Sequence, residues 1–162
     1  MKTSALILFL AVCSISLSAQ NTIWFDKNWK ETSEENSVYY RLPPKKTTKG
    51  YLIVDYYKSG QIQMKGYSKV ATLNKEEFEG VVLYYHENGK LFHEASYKNG
   101  KLNGTRKVFY ESGELEQQGR YKEGKREGMW KTFLKNGKIK TKGRYRNGEK
   151  VGVWKTFYRN LY

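Results

Sequence analysis

The chain has 162 residues, with 30 lysines and arginines against 16 aspartates and glutamates, and a formal net charge of +14. Aromatic residues make up 15% and charged residues 28% of the sequence, which excludes wholesale disorder and a polyelectrolyte tail. One cysteine excludes an internal disulfide framework and a cysteine-rich zinc site, and two histidines leave little for a histidine-based metal centre.

Residues 1–19 have the features of a secretory signal peptide. A positive charge at residue 2 precedes an apolar run from Ala5 to Val12, and small residues lead to a predicted cleavage after Ala19. The apolar run is far shorter than the roughly 20 residues that a membrane-spanning helix needs. We therefore expect an exported protein that is periplasmic, outer-membrane-associated or extracellular. Cleavage there would remove Cys13, the only cysteine.

Residues 20–49 form a separate N-terminal segment in which aromatic residues alternate with polar ones. Aromatic residues at this density are usually buried, because each removes a large apolar surface from water. A repeat array also needs a cap at each end. We therefore predict a cap over the first strand edge in preference to a separate binding element. The aromatic residues are Trp24, Phe25, Trp29, Tyr39 and Tyr40.

Residues 50–162 repeat with a period of 24 residues, which predicts an array of about four and a half copies. The first copy is offset by 29 residues, and its extra residues fall in a charged stretch, 69–79, that predicts a longer loop. Residues 152–162 form the final half copy. The columns that carry the period include Gly80, Gly104, Gly128 and Gly152; Tyr85, Phe109, Phe133 and Phe157; and Tyr97, Tyr121 and Tyr145.

Each copy has the pattern of a β-hairpin. Turn signals such as Asn88-Gly89 and Asn99-Gly100 alternate every 10–14 residues between strand-like runs. This spacing predicts an antiparallel meander of about nine strands, counted from residue 51. A two-residue loop at Asn88-Gly89 would place His86 opposite Leu91, Tyr84 opposite His93 and Val82 opposite Ala95.

The predicted register gives the sheet two unlike faces. One face is expected to form the core and collects Val82, Tyr84, Leu91, Ala95 and Tyr97 in one copy, and Trp130, Leu134, Ile139, Gly143 and Tyr145 in another. Strict alternation would direct five cations of one strand to the opposite face. Because like charges repel, that face must be solvated or must meet an anion. The cations are Lys138, Lys140, Lys142, Arg144 and Arg146.

The two copies that run from Gly104 to Gly128 and from Gly128 to Gly152 resemble the MORN repeat in its bacterial variant form. Proteins with such copies are often labelled YwqK-family antitoxins. The resemblance implies an all-β fold in which hairpin repeats stack into one open, twisted, elongated sheet. It also implies a scaffold, a protein-binding platform or a lipid-headgroup binder, and it says little about activity.

No sequence motif points to an enzyme. A phosphate-binding loop, a dinucleotide fingerprint, a zinc-protease motif and a nucleophile elbow do not occur in the sequence. The histidines His86 and His93 could approach each other across a hairpin, but zinc sites use three or more protein ligands. We expect no catalytic residues, no cofactor and no metal.

The basic charge is concentrated at one end, since residues 101–162 carry 17 basic and 6 acidic side chains. We expect a binding or scaffold module that meets another protein through the five cations of 138–146, with Phe133 and Phe157 as apolar anchors. Anionic lipid headgroups or acidic glycans are the alternative partners, and an antitoxin-like inhibitor is a further alternative. Export disfavours nucleic acid. The lysines could instead serve only solubility.

Overall fold

The computed structural model of the protein describes residues 22–157, so the predicted signal peptide lies outside the described residues. The described residues form twelve antiparallel strands in a single open sheet, and they contain no helix. This confirms the all-β meander of stacked hairpins. The strands are β1 (Ile23–Phe25), β2 (Tyr39–Arg41), β3 (Lys45–Thr47), β4 (Gly50–Tyr57), β5 (Ile62–Ser68), β6 (Phe78–Tyr85), β7 (Leu91–Lys98), β8 (Lys101–Phe109), β9 (Leu115–Lys122), β10 (Lys125–Phe133), β11 (Ile139–Arg146) and β12 (Glu149–Thr156).

The strands follow one another across the sheet in nearly the order of the chain. From β4 to β12 every strand pairs with the next one, which gives the nine strands expected for the repeat region. The N-terminal segment adds β1, β2 and β3. Strand β2 pairs with residues 55–57 of β4, and β3 pairs with residues 50–52 of β4. Both halves of the edge of β4 that faces away from β5 are therefore hydrogen-bonded.

The hairpins use two different turns. At one end Asn99-Gly100 is a two-residue turn between the paired Lys98 and Lys101, and both turn residues have positive φ (50° and 73°). The other end differs from the prediction. The His86 amide donates to the Lys90 carbonyl at 2.8 Å, which makes a three-residue loop rather than the predicted two-residue loop.

The longer loop corrects part of the predicted register. Tyr84 pairs with His93 and Val82 with Ala95, as predicted, but Leu91 faces Tyr85 and not His86. The strand after each such loop therefore carries one extra residue in a β-bulge. The same bulge recurs in the repeats with the extra residues Gln63, Phe92, Glu116 and Lys140.

A second, wider bulge surrounds each glycine of the 24-residue column. Between the pairs Gln118–Lys131 and Arg120–Glu127, β10 has two residues more than β9. Gly128 lies in this bulge with φ at 71°, a left-handed conformation that glycine adopts without steric cost. Because the bulge bends β10, the Trp130 ring turns back over the neighbouring strand.

This folding of a ring over the adjacent backbone builds the core. A Cβ added to Gly119 would lie 2.2 Å from the Trp130 ring, and one added to Gly143 would lie 2.1 Å from the Trp154 ring. Trp130 and Tyr145 are buried, and their rings meet edge to face at 5.6 Å. The predicted core face is correct at Val82, Ala95, Trp130 and Tyr145, which are buried. It is wrong at Ile139, which pairs with Phe133 and lines a depression with Lys142 and Phe157 because the bulge at Lys140 shifts the alternation.

We predict that Gly119→Ala lowers the free energy of unfolding by about 3 kcal/mol, because the new methyl group must displace the Trp130 ring. Gly124→Ala is the control, since nothing lies within 4 Å of the new Cβ, although the φ of +79° at Gly124, unlike the φ of Gly119, is itself strained for alanine. The control should cost only about 1 kcal/mol. Urea denaturation measures both changes.

A double-mutant cycle tests the physical cause of this loss. In a Trp130→Ala background the ring is absent, so Gly119→Ala should cost less than about 1 kcal/mol. An equal cost in both backgrounds would show that the ring does not determine the need for glycine.

Candidate binding face

The outer face of the sheet, opposite the buried Trp130 and Val82, carries a column of exposed residues. Each is the residue that follows a glycine of the 24-residue column. The bulge that turns Trp130 inward turns Met129 outward, because neighbouring side chains of a strand point to opposite faces. Met129 is 46% exposed and Val153 is 78% exposed. The column consists of Val81, Thr105, Met129 and Val153.

Three lysines lie side by side across the outer face, and we call them the lysine row. Lys131 of β10 pairs in register with Lys142 of β11, which pairs with Lys155 of β12. Adjacent strands are about 4.8 Å apart, so the positive charges repel one another. Among residues 22–157, no carboxylate lies within ion-pair distance of these lysines.

The same transverse row is neutralised further along the sheet. Glu94 of β7 faces Lys107 of β8, and the carboxylate and ammonium groups are 2.8 Å apart. Gln118 of β9 follows, and then the lysine row begins. The outer face therefore changes from balanced to basic at the copy that runs from Gly128 to Gly152 and stays basic in the half copy that follows.

A shallow depression of about 460 Å³ combines the exposed column with the basic residues. Its apolar part is formed by Met129, Val151 and Val153. The cations that surround this apolar part are Lys142, Arg144, Arg146 and Lys155. A smaller depression of about 220 Å³ lies one repeat earlier, where the equivalent positions include Thr105, Gln118, Arg120, Met129 and Lys131. An equivalent depression therefore recurs in successive repeats, and the one nearer to β12 is lined by more basic residues.

The structure brings together some of the predicted site residues. Lys142, Arg144 and Arg146 line the larger depression. Lys138 and Lys142 line a further depression beside Phe157, where the Lys142 ammonium lies 5.2 Å from the centre of the Phe157 ring.

Two predicted site residues occupy different positions. Lys140 is the extra residue of the β11 bulge, so it interrupts the alternation that was expected to align all five cations. Phe133 faces Ile139 in register, and its carbonyl accepts a 2.7 Å hydrogen bond from the Tyr110 hydroxyl. Neither residue lines the depressions around Lys142.

The prediction missed the transverse neighbours of Lys142. The prediction considered the alternating cations of one strand only, so it did not include Lys131 and Lys155, which lie on the strands paired with it. Met129 and Val153 were overlooked because wide bulges have no simple sequence signature. The period held a usable signal, since Met129 and Val153, like Lys131 and Lys155, are separated by one repeat.

Two cations of the basic half are held on the core face instead. The Arg126 guanidinium lies 4.7 Å from the centre of the Trp130 ring and donates a 2.8 Å hydrogen bond to the Tyr145 hydroxyl. Hydrogen bonding to Tyr121 and Tyr145 raises the pKa of Arg126. The Lys150 ammonium lies 4.6 Å from the centre of the Trp154 ring. These cations cover the aromatic core, so they do not contribute to the outer face.

The described residues provide no metal site and no membrane-spanning helix. Within 22–157, no three histidine, cysteine, aspartate or glutamate side chains are grouped to hold a metal ion. This part of the chain also has no helix with the length and apolar character needed to cross a membrane.

The hairpin geometry agrees with a comparison against known families. Residues 78–99, 102–123 and 126–147 each match the family model of the MORN repeat variant. The chain contains three MORN repeat variants. MORN repeats generally serve as non-catalytic binding or scaffold modules. No curated protein matches the chain. The assignment to YwqK-family proteins stays a prediction.

The lysine row leads to a prediction about stability. Lys142→Glu should raise the free energy of unfolding by about 0.5–1 kcal/mol at low salt, because the new carboxylate faces Lys131 and Lys155. High salt should reduce the gain by screening. Urea denaturation at two salt concentrations measures it.

Lys107→Glu is the matched control on the same row. It places two carboxylates opposite each other at Glu94 and should lower the free energy of unfolding. If both substitutions destabilised the protein equally, repulsion within the lysine row would be refuted.

Proposed function

We propose that this chain is an exported, non-enzymatic binding module that captures an acidic partner protein through the outer face of the copy from Gly128 to Gly152 and of the half copy that follows it. The observation that carries the proposal is the uncompensated lysine row beside the exposed Met129 and Val153. The five cations predicted from the sequence contribute Lys142, Arg144 and Arg146 to this surface.

The energetics of the row support a binding role. Neighbouring like charges destabilise a sheet, and an alternating arrangement such as Glu94 and Lys107 would stabilise it. Positions that break a local stability rule without a structural gain are commonly functional. An anionic partner would supply the missing counter-charges and accelerate association by electrostatic attraction.

The apolar part of the depression favours a protein over an acidic glycan. Met129, Val151 and Val153 offer a patch that a side chain of a partner can cover, with cations around it. Protein interfaces commonly have this arrangement of an apolar centre and a polar rim, and methionine and arginine are enriched there. An acidic glycan would satisfy the cations but would leave these three side chains exposed.

Anionic lipid headgroups are the second candidate. Exposed apolar side chains next to lysines are typical of surfaces that lie on a membrane. The exposed Val153 and Phe157, which lie near Lys142 and Lys155, favour this alternative. An antitoxin-like inhibitor would be a special case of the first proposal, in which the acidic partner is a toxin.

A pull-down with the mature chain, starting at Gln20, tests the proposal. We expect the wild type to recover an acidic protein from the source organism. A Lys131/Lys142/Lys155→Ser variant should lose affinity at least about ten-fold, because three counter-charges are removed. The matched control is Lys75/Lys98/Lys122→Ser, which removes the same charge from exposed positions elsewhere.

Equal recovery of the partner by the wild type, the row variant and the control would refute the proposal. Sedimentation with anionic vesicles at low salt distinguishes the lipid alternative. Vesicle binding that depends on the lysine row, without recovery of an acidic protein, would replace the first candidate by the second.

A further inference from the structure

A shallow cavity of about 380 Å³, open to solvent, lies on the core face of the first repeats, on the opposite side of the sheet from the lysine row. The loop between β5 and β6 borders it with Asn74 and Glu76, and the N-terminal segment borders it with Trp29 and Arg41. The volume lies within the usual range of about 300–1,000 Å³ for small-molecule sites.

The charged groups of the cavity are two carboxylates that share one guanidinium. Arg41 donates two hydrogen bonds to the buried Asp55, at 2.5 and 2.9 Å, and a further one to Glu76. Two carboxylates against one guanidinium leave a formal charge of −1, which repels an anionic ligand. Because both carboxylates are already bonded to Arg41, they offer a cation little free charge. This arrangement favours a neutral ligand that can both donate and accept hydrogen bonds.

Two buried polar atoms of the cavity have no partner. The side-chain oxygen of Gln63 and Nδ1 of His93 are shielded from solvent and make no hydrogen bond. Buried polar atoms are nearly always paired, so each such atom asks for an explanation. Burial lowers the pKa of His93 to about 4, so the ring is neutral at pH 7 and can accept or donate a hydrogen bond.

The bulges of the repeat direct side chains into this cavity. Gln63 and Phe92 are the extra residues at equivalent positions of β5 and β7, and both line it. Bulges often re-aim side chains next to functional sites. The equivalent residue one repeat later is Glu116, which does not line this cavity.

An aromatic side chain at the edge of the cavity has a strained backbone. Trp29 has a φ of 60°, which is an outlier for a bulky residue, and its side chain is 39% exposed. The ring stacks on Tyr39 at 4.4 Å, so this contact fixes the orientation of the indole. Strained residues of this kind cluster at ligand sites. Phe92, also exposed, provides a second aromatic surface.

We propose that this cavity binds one sugar ring of a neutral carbohydrate. Trp29 and Phe92 would pack against the C–H groups of the ring. Hydroxyl groups both donate and accept, so they can pair with the free lone pairs of the carboxylates, and with Gln63 and His93 once these side chains rotate to present their unpartnered atoms to the cavity. The site is independent of the lysine row, since it lies on the other face and needs no charge on the ligand.

NMR titration of the full chain tests this proposal. The probes are glucose, galactose, mannose and N-acetylglucosamine, each as the monosaccharide and as a short oligomer. We expect at least one probe to shift the Trp29 indole and Gln63 amide signals in a saturable way. Gln63→Ala should weaken that binding at least about ten-fold, because a partner of the hydroxyl groups is lost. Glu116→Ala, at the equivalent bulge, should leave it unchanged.

The amide spectrum of β9–β12 reports whether each variant is folded, and Gln63→Leu provides a second substitution of similar size. The proposal is overturned if no probe shifts these signals, or if folded Gln63 variants bind as the wild type does. It is also overturned if tetramethylammonium or inorganic phosphate binds the cavity more tightly than every sugar, because the neutral class would then be wrong.

Discussion

The protein depends on one packing contact, in which a ring of one strand lies flat over a glycine of the strand before it. A single sheet has no second layer against which to bury its apolar side chains. The bulge at each periodic glycine solves this problem by bending the strand so that Trp130 covers Gly119 and Trp154 covers Gly143. The first repeat uses Val82 over Gly66 in the same way. The core is therefore built from neighbouring strands only.

The same bulge creates the outer surface. Turning Trp130 inward exposes Met129, so each repeat that adds a core ring also adds one outward residue. The strand pairs then align lysines of successive strands into a row. Core packing and the candidate binding face thus have one common cause, while the identity of the outward residues is free to vary between repeats.

The sequence was sufficient for the period, the hairpins, the number of strands from β4 onward and the buried face. These features follow from glycine and aromatic columns, whose spacing reports directly on structure. The loop at Asn88-Gly89 was predicted one residue too short, because asparagine-glycine is compatible with both two-residue turns and three-residue loops that end in a bulge. That single residue changes the partner of Leu91 and the alternation around Lys140.

The candidate sites were less predictable, because they depend on which strands become neighbours. Lys131 and Lys155 are 11 and 13 residues from Lys142 and meet it only through strand pairing. The cavity around Gln63 needs a loop, two bulges and the N-terminal segment at one place. No local sequence pattern encodes such a meeting of distant segments. The column of residues that follow the periodic glycines could, however, be identified from the period of 24 residues.

The position of the lysine row has a thermodynamic consequence for the array. In a structure stabilised only by neighbour contacts, a terminal unit has one stabilising interface and an internal unit has two. Within residues 22–157, β12 has a strand neighbour on one side only, and it carries Lys155 and Val153. The lysine row therefore extends from two doubly paired strands, β10 and β11, onto an edge strand of the described sheet. A ligand that bridges β10, β11 and β12 would stabilise this edge strand and couple its unfolding to that of the strands beside it.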